Sequence, residues 1–267
     1  MLKFSIITPS FNQGEFIEEN IQSVLAQNYH NFEHIIVDGG STDNTIEILR
    51  KYNHLNWLSE PDRGQTHALN KGIKKVTGDI ICWLNSDDLL CEGAFDTVNS
   101  FFCNNPDKYI VVGGILIVDE FGNQLWQNCA QKIDYDGLLN KGQRPQQPST
   151  FFRKEVFGAV GLFNENYHYC MDYDFWVRAA KKFKFYKIGE NLGMFRRYPG
   201  TKTISNELGF VKEIIKIKHR YKANILSFDN IRLFYAIIAN PFKKISKLRR
   251  FVRKLKGKNS DYIYGGP

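Results

Sequence analysis

The sequence predicts an α/β chain built on a doubly wound, mostly parallel central sheet with a C-terminal helical extension. Three observations carry that expectation. Strand-length apolar runs alternate with helical stretches four times before Asp88, with short loops between them. The run Ile80–Leu84 is continuously apolar, as a strand covered on both faces must be. Acids sit just past the strand ends, at Asp38, at Asp62 and at the adjacent pair Asp87 and Asp88.

Taken in order, Phe4 to Thr8 reads as the first strand, stopped by Pro9-Ser10. Beyond the Asn12-Gln13-Gly14 turn, Phe16, Ile17, Ile21, Val24 and Leu25 recur at helical spacing. Phe32–Val37 and Leu55–Ser59 are the next strands, and residues 45–52 and 66–76 the next helices. The fourth strand, Ile80–Leu84, runs into Asn85-Ser86-Asp87-Asp88. From Ala94 the alternation loosens. Ile110–Val118 reads as a strand, followed by a hairpin at 119–123 and a partner at 124–126. A polar, proline-bounded loop, 144–149, precedes a strand at 150–153 and has the character of a substrate wall. Helices are expected over 155–160 and 172–182, and two further strands over 185–188 and 192–196.

In a parallel sheet the carboxyl ends of the strands gather on one edge, where ligands bind. Acids remote in sequence are therefore expected to converge there. Asp87 and Asp88 would repel one another unless a cation or sugar hydroxyls shared them. A hard divalent ion with oxygen ligands, Mg²⁺ or Mn²⁺, suits that position and would hold a diphosphate. The structural alternative is a solvated Ser-Asp turn capping the helix that begins near Glu92. The loops carry neither GxGxxG nor GxxxxGK[ST], so a glycine-rich phosphate cradle is excluded.

The five cysteines are scattered without Cys-x-x-Cys spacing, which fits free thiols in a reducing cytoplasm. The amino terminus lacks a signal-peptide pattern, and no segment reaches the apolar length of a membrane span. Charge is unevenly divided. Residues 1–211 hold 21 Lys/Arg against 25 Asp/Glu, whereas residues 212–267 hold 15 against 3. Catalytic candidates lie in the first part and a surface contact in the second.

Six segments in order, Ser5–Asn12, Val37–Asp43, Ser59–Gly64, Asn70–Gly72, Asn85–Asp88 and Met171–Trp176, resemble family 2 of the inverting glycosyltransferases, with the GT-A fold. The likeness covers about residues 1–205, and the ordered set is far more specific than any one motif. It implies a catalytic domain over 1–205, a basic helical extension over 206–267, and a nucleotide-diphosphate sugar as donor. Thr8, Pro9 and Asp38 would then lie against the base and ribose, with Asp62 and Lys71 nearby. Asp87 and Asp88 match the family's aspartate-rich motif, which contacts sugar and ribose and holds Mn²⁺ or Mg²⁺ at the diphosphate. Asn85 replaces that motif's first acid.

By the same resemblance Asp172 matches the general base, with Met171 in place of the preceding Glu. An inverting transfer needs a carboxylate opposite the leaving group to deprotonate the acceptor hydroxyl. Its place at the start of a helix is expected to keep it ionised. The alternative role for Asp172 is a helix N-cap. The segment Arg196–Lys202 resembles the loop that closes on the diphosphate, with Tyr198 where many relatives carry His. Arg197 and Lys202 are candidates for phosphate contacts, or else surface charge. Gln147 is a candidate for the acceptor side. Trp176 either packs the core or floors an acceptor sugar subsite. His67 and His168 show no ligand spacing.

Residues 243–258 carry nine Lys/Arg and no acid, with apolar residues at 245, 248, 251, 252 and 255. That is a basic amphipathic helix suited to an anionic membrane surface, with a plain solvated helix as the alternative. Taken with the family resemblance, it implies a protein at the cytoplasmic face of the membrane with a saccharide or lipid-linked acceptor in surface polysaccharide synthesis. Nucleic acid is the competing polyanion, but no nucleic-acid module or interleaved stacking aromatics accompany the charges. A sugar nucleotidyltransferase and a non-catalytic nucleotide-sugar-binding module are the alternative functions. The first would carry a glycine-rich basic loop after the first strand. The second would more readily have lost Asp87, Asp88 or Asp172.

Overall fold

The computed structural model describes residues 1–202 and 206–239. β1 (Phe4–Ser10), α1 (Ile17–Leu25), β2 (Phe32–Asp38), α2 (Thr45–Leu49), β3 (Leu55–Ser59), α3 (Gln65–Ile73) and β4 (Ile80–Trp83) alternate as expected. A two-residue strand, β5 (Leu89–Leu90), and α4 (Ala94–Asn104) follow. Next come β6 (Ile110–Val118), β7 (Gln124–Asn128), α5 (Tyr135–Asn140), a 3₁₀ turn (Gln147–Ser149), β8 (Thr150–Arg153) and α6 (Lys154–Val160). The chain then forms α7 (Met171–Ala180), β9 (Phe185–Arg196), α8 (Glu207–Arg220) and α9 (Phe228–Ala239).

Nine strands form one sheet, ordered β3-β2-β1-β4-β8-β6-β9-β5, with β7 beside the far half of β6. β3, β2, β1 and β4 are parallel, and six of the nine strands point the same way. Only the short β5, β7 and β8 run against them. Side chains alternate across the parallel half, which is why both faces need helices. Ile7, Ile35, Val37, Ile81 and Trp83 pack with α3 and α7 on one face, and Phe4, Ile6, Ile80 and Cys82 pack with α4 on the other.

Two expectations change. The strands foreseen over 185–188 and 192–196 are one continuous strand, β9. Its polar break at Gly189-Glu190-Asn191 is absorbed by two register shifts opposite Gly113 and Gly114 of β6. α5 was not legible, being six residues long with its apolar side chains confined to Leu138, Leu139 and Tyr135. The extension expected from residue 206 packs its first helix into the main core, through Val211, Ile214 and Ile217 of α8. The basic segment 243–258 lies outside the described residues.

Strand register positions the site. Ser10, Asp38 and Ser59 are level across β1, β2 and β3, so three loops leave the sheet together. β4 stops earlier, with Trp83 opposite Ile7, and the chain turns at Asn85–Asp88 beneath the end of β1. On the far side β9 presses against the 3₁₀ turn. A Cβ on Gly193 would stand 2.4 Å from the Pro148 carbonyl oxygen. Backbone cannot yield there as a side-chain tip would, so Gly193→Ala is expected to lower stability by about 1–3 kcal/mol, read as a reduced urea midpoint at unchanged slope.

Candidate active site

The turn after β4 is held from below and from both sides. The Asp88 N–H donates to the Asn85 carbonyl (3.0 Å), and Asn20 Nδ2 from α1 donates to the carbonyls of Asn85 (2.9 Å) and Asp88 (2.8 Å). Asn20 is itself fully buried, with Oδ1 3.4 Å from Thr8 Oγ1. The Asn85 side chain is a junction. Its Nδ2 donates to Asp88 Oδ2 (3.1 Å) and Gln147 Oε1 (2.9 Å), and its Oδ1 accepts from Gln65 Nε2 (2.7 Å). An aspartate here would present an acceptor to two acceptors; the amide matches all three neighbours.

Arg196, at the end of β9, closes the turn. It is fully buried, its N–H donates to Asp88 Oδ1 (3.1 Å), and its guanidinium donates to the carbonyls of Asp87 (3.0 Å) and Glu120 (2.6 Å) and to Glu19. Tyr198 Oη donates to Asp87 Oδ2 at 3.2 Å. Burial, reinforced by the Asp87 charge, pushes the Asp88 carboxyl well above the ordinary carboxylate range. Burial raises Asp87 too.

Other expected site residues divide into those the fold brings to this edge and those it uses elsewhere. Gln147 joins the turn, with Nε2 donating to the Trp83 carbonyl. Lys202 Nζ donates to Gln65 Oε1 (3.0 Å), within electrostatic reach of Asp62, Asp87 and Glu213. Asp62 is half-buried, with Oδ1 accepting from the Gly64 N–H (2.6 Å). A side chain on Gly39 would run into Asp62 and Phe11, which is 59% exposed at the end of β1. That exposed aromatic was missed as a candidate, though it lies within the first motif.

Several expectations are corrected by burial and bonding. Thr8 is fully buried and its hydroxyl lies 2.8 Å from His34 Nε2, so it supports Asn20 from behind rather than facing a ligand. Pro9 is buried beside it. Asp38 is fully buried, and its carboxylate accepts from the N–H groups of Gly40 (3.0 Å) and Ser41 (2.8 Å) and from the hydroxyls of Ser41 and Ser59 (2.6 Å). It folds the loop rather than presenting itself. Lys71 is paired with Glu60 (2.7 Å). Arg197 stacks on Trp126, 5.3 Å from the ring, while Arg196 takes the place against the acidic turn. Trp176 is buried in the core behind α7, so the acceptor-subsite role is withdrawn.

At α7 the structure separates two acids. Asp174 is buried, bonded to Arg178 Nε (2.8 Å) and the Tyr221 hydroxyl (3.0 Å). Asp172 is half-buried in the first turn, with Oδ1 accepting from the Tyr173 N–H (2.7 Å). The N-cap is Cys170, not Asp172. Nor does the helix terminus dominate its ionisation. Burial pushes Asp172 up to about 6, opposed by the Arg144 guanidinium and assisted by Glu213. Glu213, from α8, accepts the N–H groups of His168 (2.8 Å), Tyr169 (2.8 Å) and Cys170 (2.9 Å) and so fixes the approach to Asp172. No local pattern in the sequence marks this clamp, because its halves are over 40 residues apart. A cleft of about 280 Å³ opens between the start of α3 and residues 165–168, flanked by Gln65, His67 and His168.

The family model of glycosyl transferase family 2 matches residues 5–161, more than half of the chain. The chain belongs to glycosyl transferase family 2. It is 30% identical over 252 residues to a PGL/p-HBAD biosynthesis glycosyltransferase of Mycobacterium bovis, covering 91% of this chain and 93% of that protein. It is 31% identical over 218 residues to an uncharacterised glycosyltransferase of Rickettsia conorii, covering 76% of this chain but spanning only 35% of that protein's length. Among solved structures, S. aureus TarS 1-349 in complex with UDP-GlcNAc matches with a TM-score of 0.64 at 19% identity, over 98% of this chain and 78% of that one. The mannosyltransferase PcManGT of Pyrobaculum calidifontis, in complex with GDP-Man and Mn²⁺, matches with a TM-score of 0.63 at 16% identity, over 99% and 83%. The fold is the GT-A fold.

The divalent ion that the resemblance implies can be matched against the residues present. Among the described residues no three acids, histidines or cysteines cluster to form a closed cage. Two adjacent carboxylates whose charge burial disfavours are the donor set that suits an ion arriving with a diphosphate, since Mg²⁺ and its analogues bind through one or two carboxylates plus substrate phosphates. Asp87 and Asp88 fit that role.

Two stability measurements check the α7 assignments. Glu213→Ala strands three N–H groups and is expected to destabilise the protein by about 2–3 kcal/mol in urea titration. For Asp172, a folded pKa of about 6 lies above the unfolded 3.8, so the stability that its protonated form gives is present below 3.8 and lost as pH rises through 6. Asp172→Asn is therefore expected to gain on wild type by roughly 2–3 kcal/mol between pH 4 and pH 7. A pH-independent difference would contradict the burial of this carboxyl.

Proposed function

We propose that this glycosyltransferase is a metal-dependent inverting enzyme that moves one hexose from a nucleoside-diphosphate donor to a saccharide or lipid-linked saccharide acceptor in surface polysaccharide synthesis, at the cytoplasmic face of a membrane. The observation that carries the reading is the division between the two α7 acids: Asp174 is locked to Arg178 and Tyr221, whereas Asp172 is half-buried with a pKa pushed up to about 6. A base poised near 6 is ionised at neutral pH yet basic enough to take a proton from a hydroxyl as that hydroxyl attacks.

In the proposed reaction Asp172 removes the acceptor proton, the acceptor oxygen bonds to the sugar C1, and the bond from C1 to the diphosphate oxygen breaks with inversion. Asp87 and Asp88 would hold Mn²⁺ or Mg²⁺, which when bound supplies Lewis-acid neutralisation of the leaving diphosphate. Lys202, reaching from the closing loop to Gln65, supplies further positive charge for phosphate oxygens. Phe11 offers an exposed ring for the nucleobase beside Asp62. Gln147, bonded to Asn85, places the acceptor loop against the donor turn. Nucleotide sugars bound to TarS and PcManGT, and the Mn²⁺ in the latter, support the donor and metal readings. The biosynthetic name of the mycobacterial relative supports a glycoconjugate acceptor.

Calorimetric titration of UDP, GDP and dTDP, with and without Mn²⁺, is expected to show one nucleotide binding in a metal-dependent way that Asp88→Ala abolishes. Asp172→Asn should bind that nucleotide normally yet lose at least about 100-fold in kcat. In wild type, kcat/KM should fall about tenfold per pH unit below 6 and level off above it. Metal-independent binding, or a profile flat down to pH 5, would overturn the assignment and leave the non-catalytic binding module as the better reading.

A further inference from the structure

Among the described residues twelve large hydrophobic side chains are exposed, and six of them lie within the eleven residues from Ile225 to Tyr235. Phe228 is 83% exposed, and Ile231 and Tyr235 share its stripe at spacings of three and seven, with Phe234 alongside. Ile225 and Leu226 extend the stripe into the loop before α9. The opposite side of α9 is committed inward. Leu233 is buried in the main core, and the buried Asp229 pairs with Lys218 of α8 and with Arg232 (2.7 Å). α9 thus has a fixed orientation and a fixed outward face. Scattered exposed hydrophobics are ordinary on a protein surface; a contiguous set of this size marks a contact.

We propose that the outward face of α9, with Ile225 and Leu226, inserts into the surface of an anionic lipid bilayer. The choice of lipid rests on the anionic-surface reading of residues 243–258. That segment begins four residues after α9 ends and carries nine cations without an acid. Apolar insertion beside a polybasic segment is the combination that binds anionic interfaces, each half being weak alone. A second copy of the chain would bring another C-terminal portion with 15 Lys/Arg against 3 Asp/Glu onto a like charge, and a nucleic acid would leave the apolar face uncovered. Glu213 of α8 and Asp229 of α9 are turned to internal partners and add no repulsion.

The position of this face gives the contact a purpose. Asp229 Oδ1 lies 2.6 Å from where a Cβ on Gly142 would stand, and the Asn224 N–H donates to Asn140 Oδ1 (2.8 Å). The start of α9 therefore abuts the loop that leads to Gln147. Docking would set the acceptor side of the enzyme against the bilayer, where a lipid-anchored saccharide is presented.

The full chain is sedimented with vesicles of phosphatidylcholine alone and of phosphatidylcholine mixed equally with phosphatidylglycerol, across a salt series. Wild type is expected to bind the anionic vesicles. The variant Phe228→Ser/Ile231→Ser/Phe234→Ser should bind them at least about tenfold more weakly, with transfer to a soluble acceptor unchanged. A variant with Lys243, Lys244, Lys247 and Lys254 changed to Gln separates the two readings. If it loses binding while the face variant binds as wild type, the basic segment acts alone and the face proposal falls. If wild type binds neither vesicle, the anionic-surface reading falls and the proposal with it. A wild-type dimer in light scattering that the face variant converts to monomer would assign the face to a second copy instead. Should the triple variant fail to fold, Phe228→Trp gives the answer directly. Its fluorescence should be quenched by acyl-brominated lipids in the anionic vesicles, and no quenching would overturn the insertion.

Discussion

The structure depends on one buried guanidinium. Arg196 lies in the interior with no exposure, a position that costs several kcal/mol unless every donor finds an acceptor. It meets that demand by bonding the Asp87 and Glu120 carbonyls and Glu19, while its N–H reaches the Asp88 carboxylate. In one contact the end of β9 is fastened to the turn after β4, and α1 to both. The aspartate turn is thereby held where two carboxylates would otherwise separate. Removing Arg196 would leave an open, repulsive acidic turn. Placing a cation beside that turn would complete it.

A second clamp repeats the logic with the signs reversed. Glu213 presents a carboxylate to three consecutive N–H groups ahead of α7, so the loop that delivers Asp172 is shaped by a helix that follows it in the chain. Tyr221, just past the end of the same helix, bonds Asp174 and removes it from competition. The helix α8 and the residue that follows it are consequently part of what shapes the surroundings of Asp172. Asn85 links the two halves. Its amide reaches Asp88, Gln147 and Gln65, and through Gln65 the closing-loop Lys202. The aspartate turn, the loop at 144–149 and the segment bearing Lys202 share a single polar junction, which is a physical reason for an amide at position 85.

Membership of glycosyl transferase family 2 accounts for the chemistry of this edge without assigning a sugar. Three further surfaces accompany this edge: the cleft at Gln65, His67 and His168, the loop 141–149, and the exposed stripe of α9. Each adjoins the shared machinery through a hydrogen bond or a backbone approach, and each draws on a segment remote in sequence.

The sequence by itself determined the sheet, its mostly parallel direction and the placing of Asp62, Asp87 and Asp88 at one edge. These follow from short-range causes: apolar periodicity, loop length and the rule that parallel strands end together. It also singled out the basic segment, whose signal is a local run, whereas Asp172 stood out only through the resemblance of the ordered motifs to a known family. What only the tertiary structure decided is which of the polar candidates are closed off by burial and internal hydrogen bonds. Asp38 and Thr8 look like site residues in one dimension and are closed off in three, because their partners come from Ser59 and His34 on neighbouring strands. Trp176 packs inward for the same reason that Arg196 does not belong to the surface: neighbours more than 20 residues away fill the space around it. Burial is a property of the assembled fold, and burial set the ionisation of Asp88 and Asp172 against what helix position or residue type alone implied.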